Sequence, residues 1–186
     1  ESISSKKLLA ATVVGTRLEE SGFLQMVAHT FGLNPPHADR EELVALIQRH
    51  ISRAGQALLV VDEAQNLSSA TLAEIALLCC LEVAPGRQLQ VFLVGQEGLP
   101  RKLDEPAMAQ LRQRVIANCS LSELDLQECS DYVLHRLAVA GWQGRPAIHA
   151  GVMVLLHRFS QGLPRHLCNL CSRLLLHGAV TEKNSL

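Results

Sequence analysis

Aromatic residues are scarce in this chain: four Phe, one Tyr and one Trp make up 3% of its 186 residues. So few rings exclude a platform on which nucleic-acid bases stack in succession. Excess charge of one sign is also missing. Lys and Arg number 17, Asp and Glu 18, and the formal net charge is −1. That argues against a strongly electrostatic nucleic-acid binder and leaves only a local basic face open. No apolar run approaches the ~20 residues that cross a bilayer. The opening residues, ESISSKKLLAAT, lack the apolar centre of a signal peptide. Gly and Pro, 12 and 7 residues, are too few for a collagenous or low-complexity chain.

What is present is the balance of a folded domain, 48% apolar and 19% charged, which excludes global disorder. The length suits one domain, or one with a small satellite. Six cysteines would suit a secreted scaffold, but their placement does not. Cys79-Cys80 lie in an apolar helical pattern, Cys168 and Cys171 share a helix face, and Cys119 and Cys129 stand alone. They read as small core hydrophobes in a reducing compartment. The alternative, a metal site of His166, Cys168, Cys171 and His177, lacks the paired loop-borne ligands of structural zinc sites.

The first half alternates between two periods. Leu8 to Thr16 is a β-branched run ending at a Gly and reads as a buried strand. Glu19 to Phe31 carries Phe23, Val27, Ala28 and Phe31 at helical spacing, with Gly32 as the stop and Asn34-Pro35-Pro36 as a loop. Asp39 and Glu42 form a capping box for a helix whose buried stripe is Leu43, Leu46, Ile47 and Ile51, ending at Gly55. Ala57 to Val61 is the next strand. A helix follows from Asn66-Leu67-Ser68-Ser69 with Leu72, Ile75, Leu78 and Cys79 inward, and Pro85-Gly86 makes a turn. Leu89 to Gly95 is a third strand, Pro106 to Val115 a short helix, and Ala117 to Leu121 a fourth, shorter strand. Alternation of this kind predicts an α/β unit with a parallel sheet. After Leu121 the strands stop. Leu126 to Ala140, Ile148 to Ser160 and Pro164 to Gly178 read as three amphipathic helices, so a domain boundary is expected between 1–121 and 122–186.

The stretch LLVVDEAQ, Leu58 to Gln65, carries the most chemistry. Four apolar residues predict a strand buried on both faces, and ligands collect at the carboxyl ends of such strands. Asp62 and Glu63 follow at once. One carboxylate can hold Mg²⁺ through water while the other orients or deprotonates an attacking water, the Walker B arrangement of a nucleoside triphosphatase. The competing reading is the start of a surface loop. Gln96 ends the next strand, beside Asp62 in such a sheet, where a polar group can sense a γ-phosphate; the competing reading is a solvated strand end. Arg112 and Arg114 lie two apart on a short helix and so face different ways. One of them can reach a neighbouring subunit's phosphate as an arginine finger, or both can belong to a solvated basic face. Arg165 stands at a helix start set by Gly162-Leu163-Pro164. A cation there opposes the helix dipole, which points to an anionic partner or to a small local cost. Trp142, in the joint between two helices, reads as a packing anchor.

VVDEAQNL, VFLVGQ, QLRQRV, YVLHRLAVAGWQG and SQGLPRHLCNLCSRLLLHGAV follow one another over nearly the whole chain. In that order they resemble the AAA+ ATPases of the general secretion pathway A type, and most closely the secretion ATPases associated with exosortase (PEP-CTERM) systems. The resemblance implies a P-loop NTPase-like parallel sheet with a three-helix lid. It implies Asp62 and Glu63 as Walker B, Gln96 near sensor 1, Arg114 or Arg112 as the finger, and Arg165 as sensor 2. It further implies ATP and Mg²⁺ as cofactors, a homo-oligomer, a bacterial secretion or polysaccharide-export machinery as partner, and a cytoplasmic location, at the inner face of the inner membrane in one variant. Two alternatives differ in class: a DNA-associated AAA+ protein of the transposition-helper type, and a nucleotide-free interaction module.

The sequence departs from that family in one respect. G-x-x-x-x-G-K-[ST] occurs nowhere, so the backbone nest and the lysine that grip β- and γ-phosphates are missing. In the family they precede the segment matching Leu8 to Thr16. The expectation is therefore a fragment lacking the first strand of its sheet, inactive by itself and binding no nucleotide.

Overall fold

The computed structural model of the chain describes residues 8–15, 22–35 and 38–186. It divides into two compact units, Glu1–Asn118 and Cys119–Leu186.

In the first unit, β1 (Leu9–Val14), β2 (Ala57–Asp62) and β5 (Gln90–Leu93) form a parallel sheet in the order β1-β2-β5. Val13 stands opposite Val61, and Val61 opposite Leu93, so the strand tips come level. β-Branched and apolar residues make these strands, and their alternation decides what is buried. Ala11, Val13, Leu59 and Val61 face the core, at 4% exposure or less, while Ala10, Thr12 and Val14 on the same β1 strand are exposed. β2 was expected to be buried on both faces. Instead Leu58 and Val60 are half-buried, and Phe92 and Val94, on the same face by register, are 60% and 49% exposed. Among the described residues only one face of the sheet is covered.

That face packs against α1 (Phe23–Thr30), α2 (Arg40–Ala54) and α3 (Ser69–Leu78) through one apolar cluster. Phe23, Val27, Ile47, Ile51, Leu72 and Ile75 are fully buried, each contributing about 1.5–3 kcal/mol by leaving water. The expected capping box closes α2: Asp39 accepts from the Glu42 N–H at 2.9 Å, and Glu42 accepts from the Asp39 N–H at 3.1 Å. Gly55 ends the helix in the left-handed region. The start expected for α1 at Glu19, the end of β1 at Thr16 and the loop residue Pro36 lie outside the described residues.

Pro85-Gly86 turns a small hairpin, β3 (Glu82–Ala84) with β4 (Arg87–Gln88), that periodicity did not show. After β5 come α4 (Gly98–Leu103), a 3-10 turn Pro106–Met108 and α5 (Ala109–Arg112). The fourth strand expected over Ala117 to Leu121 is absent. Those residues make no ladder, and Ile116 and Leu121 are almost wholly exposed. Ala-Asn-Cys-Ser-Leu holds no β-branched residue to favour extended backbone, and among the described residues no strand pairs with it.

The second unit holds α6 (Leu126–Val139), α7 (Ala150–Ser160) and α8 (Pro164–Val180), packed around Cys129, Val133, Leu156 and Leu167. A second capping box, Asp125 with Glu128, opens α6. The Trp142 indole N–H donates to the Pro146 carbonyl at 3.1 Å. Two cysteines depart from the expected core role: Cys80 and Cys119 are exposed, and only Cys129 is fully buried. All six are free thiols. Among the described residues no three His, Cys, Asp or Glu side chains converge on a metal position. No described helix is long and apolar enough to cross a membrane.

Candidate active site

The carboxyl end of β2 breaks its own extended geometry within one residue. Asp62 closes the strand, and Glu63 turns into the left-handed region at φ 53, ψ 36. For a residue with a Cβ this costs about 1–3 kcal/mol and persists only where the surroundings over-determine it. Here they do. The Glu63 N–H donates to Asp62 Oδ1 at 2.8 Å. The Ala64 N–H donates to the Val94 carbonyl at 2.9 Å, and the Asn66 N–H to the Glu63 carbonyl at 3.0 Å. Glu63 therefore leaves the extended geometry of β2, while Asp62 keeps it.

Gln65, in the 3-10 turn Ala64–Asn66, joins the tips of β2 and β5. Its Nε2 donates to Glu63 Oε2 at 2.6 Å, and its Oε1 accepts from the Gln96 N–H at 3.1 Å. Lys102, on α4, holds the same turn from behind. Its ammonium donates to the Gln65 carbonyl at 3.2 Å and to the Leu67 carbonyl.

Two glycines give the bends room. A Cβ on Gly15, at the end of β1, would lie 2.8 Å from the Glu63 carbonyl oxygen; one on Gly95 would lie 2.8 Å from Gln65 Oε1. The structure thus brings Asp62, Glu63 and Gln96 together, with Gln65, Gly15, Gly95 and Lys102 as supports that the sequence reading gave no role. A glycine just past a parallel strand is a legible sign of close backbone approach. Lys102 carries no such sign, being 37 residues from Gln65 in sequence.

Arg112 and Arg114 make no contact with this constellation among the described residues. Arg112 and Arg114 are exposed at the end of α5. Arg112 makes a long ion pair with Asp104, 3.7 Å, with both side chains more than half exposed. Arg114 lies near Cys79. Burial pushes that thiol's pKa up, and the guanidinium partly offsets the rise. Cys79 caps the C-terminal end of α3, the end opposite the one that follows the Glu63 turn. Arg165 belongs to the second unit. It is exposed at the second position of α8, whose first turn no side chain caps. Its approach is shaped by Gly162, φ 70, whose missing Cβ admits the Leu124 backbone. The Leu124 N–H donates to the Gly162 carbonyl at 3.0 Å.

Asp62 is exposed and accepts from the Glu63 N–H through Oδ1. A single exposed carboxylate suits Mg²⁺ held mainly by water and phosphate oxygens. A phosphate cradle is another matter, since the sequence contains no G-x-x-x-x-G-K-[ST].

Residues 5–103, more than half of the chain, match the family described as AAA domain. The chain belongs to the AAA domain family. This AAA domain is similar to the General secretion pathway protein A of Aeromonas hydrophila, 33% identical over 171 residues. That match takes in 89% of the chain and 31% of the relative, so the chain spans about a third of the protein it resembles. The AAA+ likeness of general secretion pathway A type read from the sequence therefore stands. Among solved structures, Cdc6p from Pyrobaculum aerophilum superposes with a TM-score of 0.73 at 18% identity, over 96% of this chain and 50% of that one. A RuvB mutant from Thermogota maritima superposes at 0.55 and 15% identity, over 95% and 57%. At such identities the likeness is one of fold: a P-loop NTPase-like parallel sheet with helices.

Proposed function

We propose that this AAA domain is the Walker B portion of an ATP-hydrolysing module in a bacterial secretion or exopolysaccharide assembly system of the exosortase-associated kind. The observation that carries the reading is the strained β2 tip. It presents two carboxylates at the carboxyl edge of a parallel sheet, beside Gln96 of the adjacent strand. In this reading Asp62 holds hydrated Mg²⁺ and Glu63 is the general base. Water bonds to the γ-phosphorus as its proton passes to Glu63, and the bridging P–O bond breaks, its electron pair leaving with ADP. Gln96 senses the γ-phosphate. Arg114, or Arg112, serves a neighbouring subunit's site, which their exposure supports, and Arg165 is the sensor 2 arginine. The working form is a homo-oligomer on the cytoplasmic side.

The phosphate-binding loop is assigned to a longer parent polypeptide. The sheet face at Phe92 and Val94, uncovered among the described residues, supports that assignment, because parallel sheets are ordinarily covered on both sides. Titration calorimetry with Mg-ATP tests it. The isolated chain should give no binding heat, and a polypeptide extended to include the loop should bind. An extended protein that stays silent contradicts the reading.

A further inference from the structure

Gln65 is fixed more tightly than its half-buried position requires. Its amide orientation is unambiguous: a carboxylate can only accept and a backbone N–H can only donate, so Nε2 must face Glu63 and Oε1 must face Gln96. Gly95 leaves the space in which Oε1 sits, and Lys102 grips the Gln65 carbonyl. Side chain and backbone are therefore both locked. Among the common side chains only an amide of this length supplies a donor to one strand tip and an acceptor to the other. Glu would keep the acceptor and oppose Glu63; Met would fill the space and keep neither bond.

We propose that Gln65 is a positioning residue for hydrolysis, its amide tying Glu63 Oε2 to the Gln96 backbone so that Oε1 alone is offered to the attacking water. The proposal rests on Glu63 being the base, as argued above. It also makes β5 and the base one mechanical unit: a shift of Gln96 on sensing phosphate moves Glu63 with it.

The test compares the parent polypeptide with its Gln65→Glu and Gln65→Met variants. The readouts are kcat and KM for Mg-ATP, and hydrogen exchange of the Gln96 amide. Misplacing a reacting group by about 1 Å costs up to about a hundredfold, so kcat should fall at least about tenfold in both variants with KM within about twofold. The Gln96 amide should exchange faster in Gln65→Met and stay protected in Gln65→Glu, which keeps its acceptor. That split separates positioning from a merely structural tie. If Gln65→Glu turns over at the wild-type rate, Gln65 only joins two strands and the proposal is overturned. A rise in KM at constant kcat overturns it equally, by assigning Gln65 to nucleotide binding. Should Gln65→Met fail to fold, the Glu variant decides alone. A wild-type parent that does not hydrolyse ATP sinks the proposed function and this proposal together, an outcome distinct from active variants beside an active wild type.

Discussion

Glu63 holds a backbone conformation that its side chain does not favour, and its immediate neighbours maintain it. The consequences are testable one residue at a time. Gly15→Ala forces a Cβ against the Glu63 carbonyl, a backbone atom that cannot swing aside. It should destabilise the first unit by about 1–3 kcal/mol, read as a lower urea midpoint. Gly95→Ala meets side chains, the Gln65 amide oxygen and Leu99, and no backbone atom, so its cost should be smaller in stability, and larger in turnover because it displaces the Gln65 amide from its two bonds. Glu63→Gln keeps the shape of the tip and removes the base. In the parent it should leave Mg-ATP affinity near wild type and slow hydrolysis by about 10²–10⁴-fold. DEAQ marked the two acids in the sequence. It did not mark the strain, because whether a residue after a strand turns left-handed depends on what stands behind it, here Gly15 and the Val94 carbonyl.

At the scale of elements, local signals were legible and partner-dependent ones were not. The α2 capping box was visible because its two residues sit three apart and need nothing distant. Asp39→Ala should lower stability by about 1 kcal/mol in thermal or urea unfolding, and Asp125→Ala should do the same for α6. By contrast, the strand expected over Ala117 to Leu121 rested on its place in the alternation, and Ala-Asn-Cys-Ser-Leu holds no β-branched or aromatic residue to support it. The β3–β4 hairpin is too short for its period to register. The Asp62–Glu63–Gln96 grouping was readable because adjacent parallel strands end level. The role of Gln65 was not, since it depends on a register that only pairing fixes.

The helical unit should also respond to pH through Cys129. Burial, then the charges of Asp125 and Glu128, raise that thiol's pKa above its ordinary 9.0. Below pH 9 both folded and unfolded thiols stay protonated and the stabilisation is fully present. As pH climbs past that value the unfolded chain ionises first, so unfolding releases a proton and stability falls. Cys171, raised chiefly by burial, and Tyr132, raised chiefly by its hydrogen bond to Cys168, act in the same direction. Denaturant midpoints followed from pH 7 to about pH 10 should decline, and Cys129→Ala should flatten that decline while lowering the midpoint at pH 7.

Taken as one molecule, the chain has a small parallel sheet, covered on one side among the described residues, and a helical unit that opens on its own capping box. The AAA domain match, residues 5–103, falls within the first of these units. The proposed chemistry depends on whether the β2 tip acts on a nucleotide that other residues hold. The most direct measurement is single-turnover hydrolysis of Mg-ATP by the loop-containing parent, wild type against Glu63→Gln, with bound nucleotide quantified in both. The account predicts comparable nucleotide occupancy and product formation in the wild type alone. Equal rates in the two proteins would contradict it, because the base would then lie elsewhere than at the end of β2.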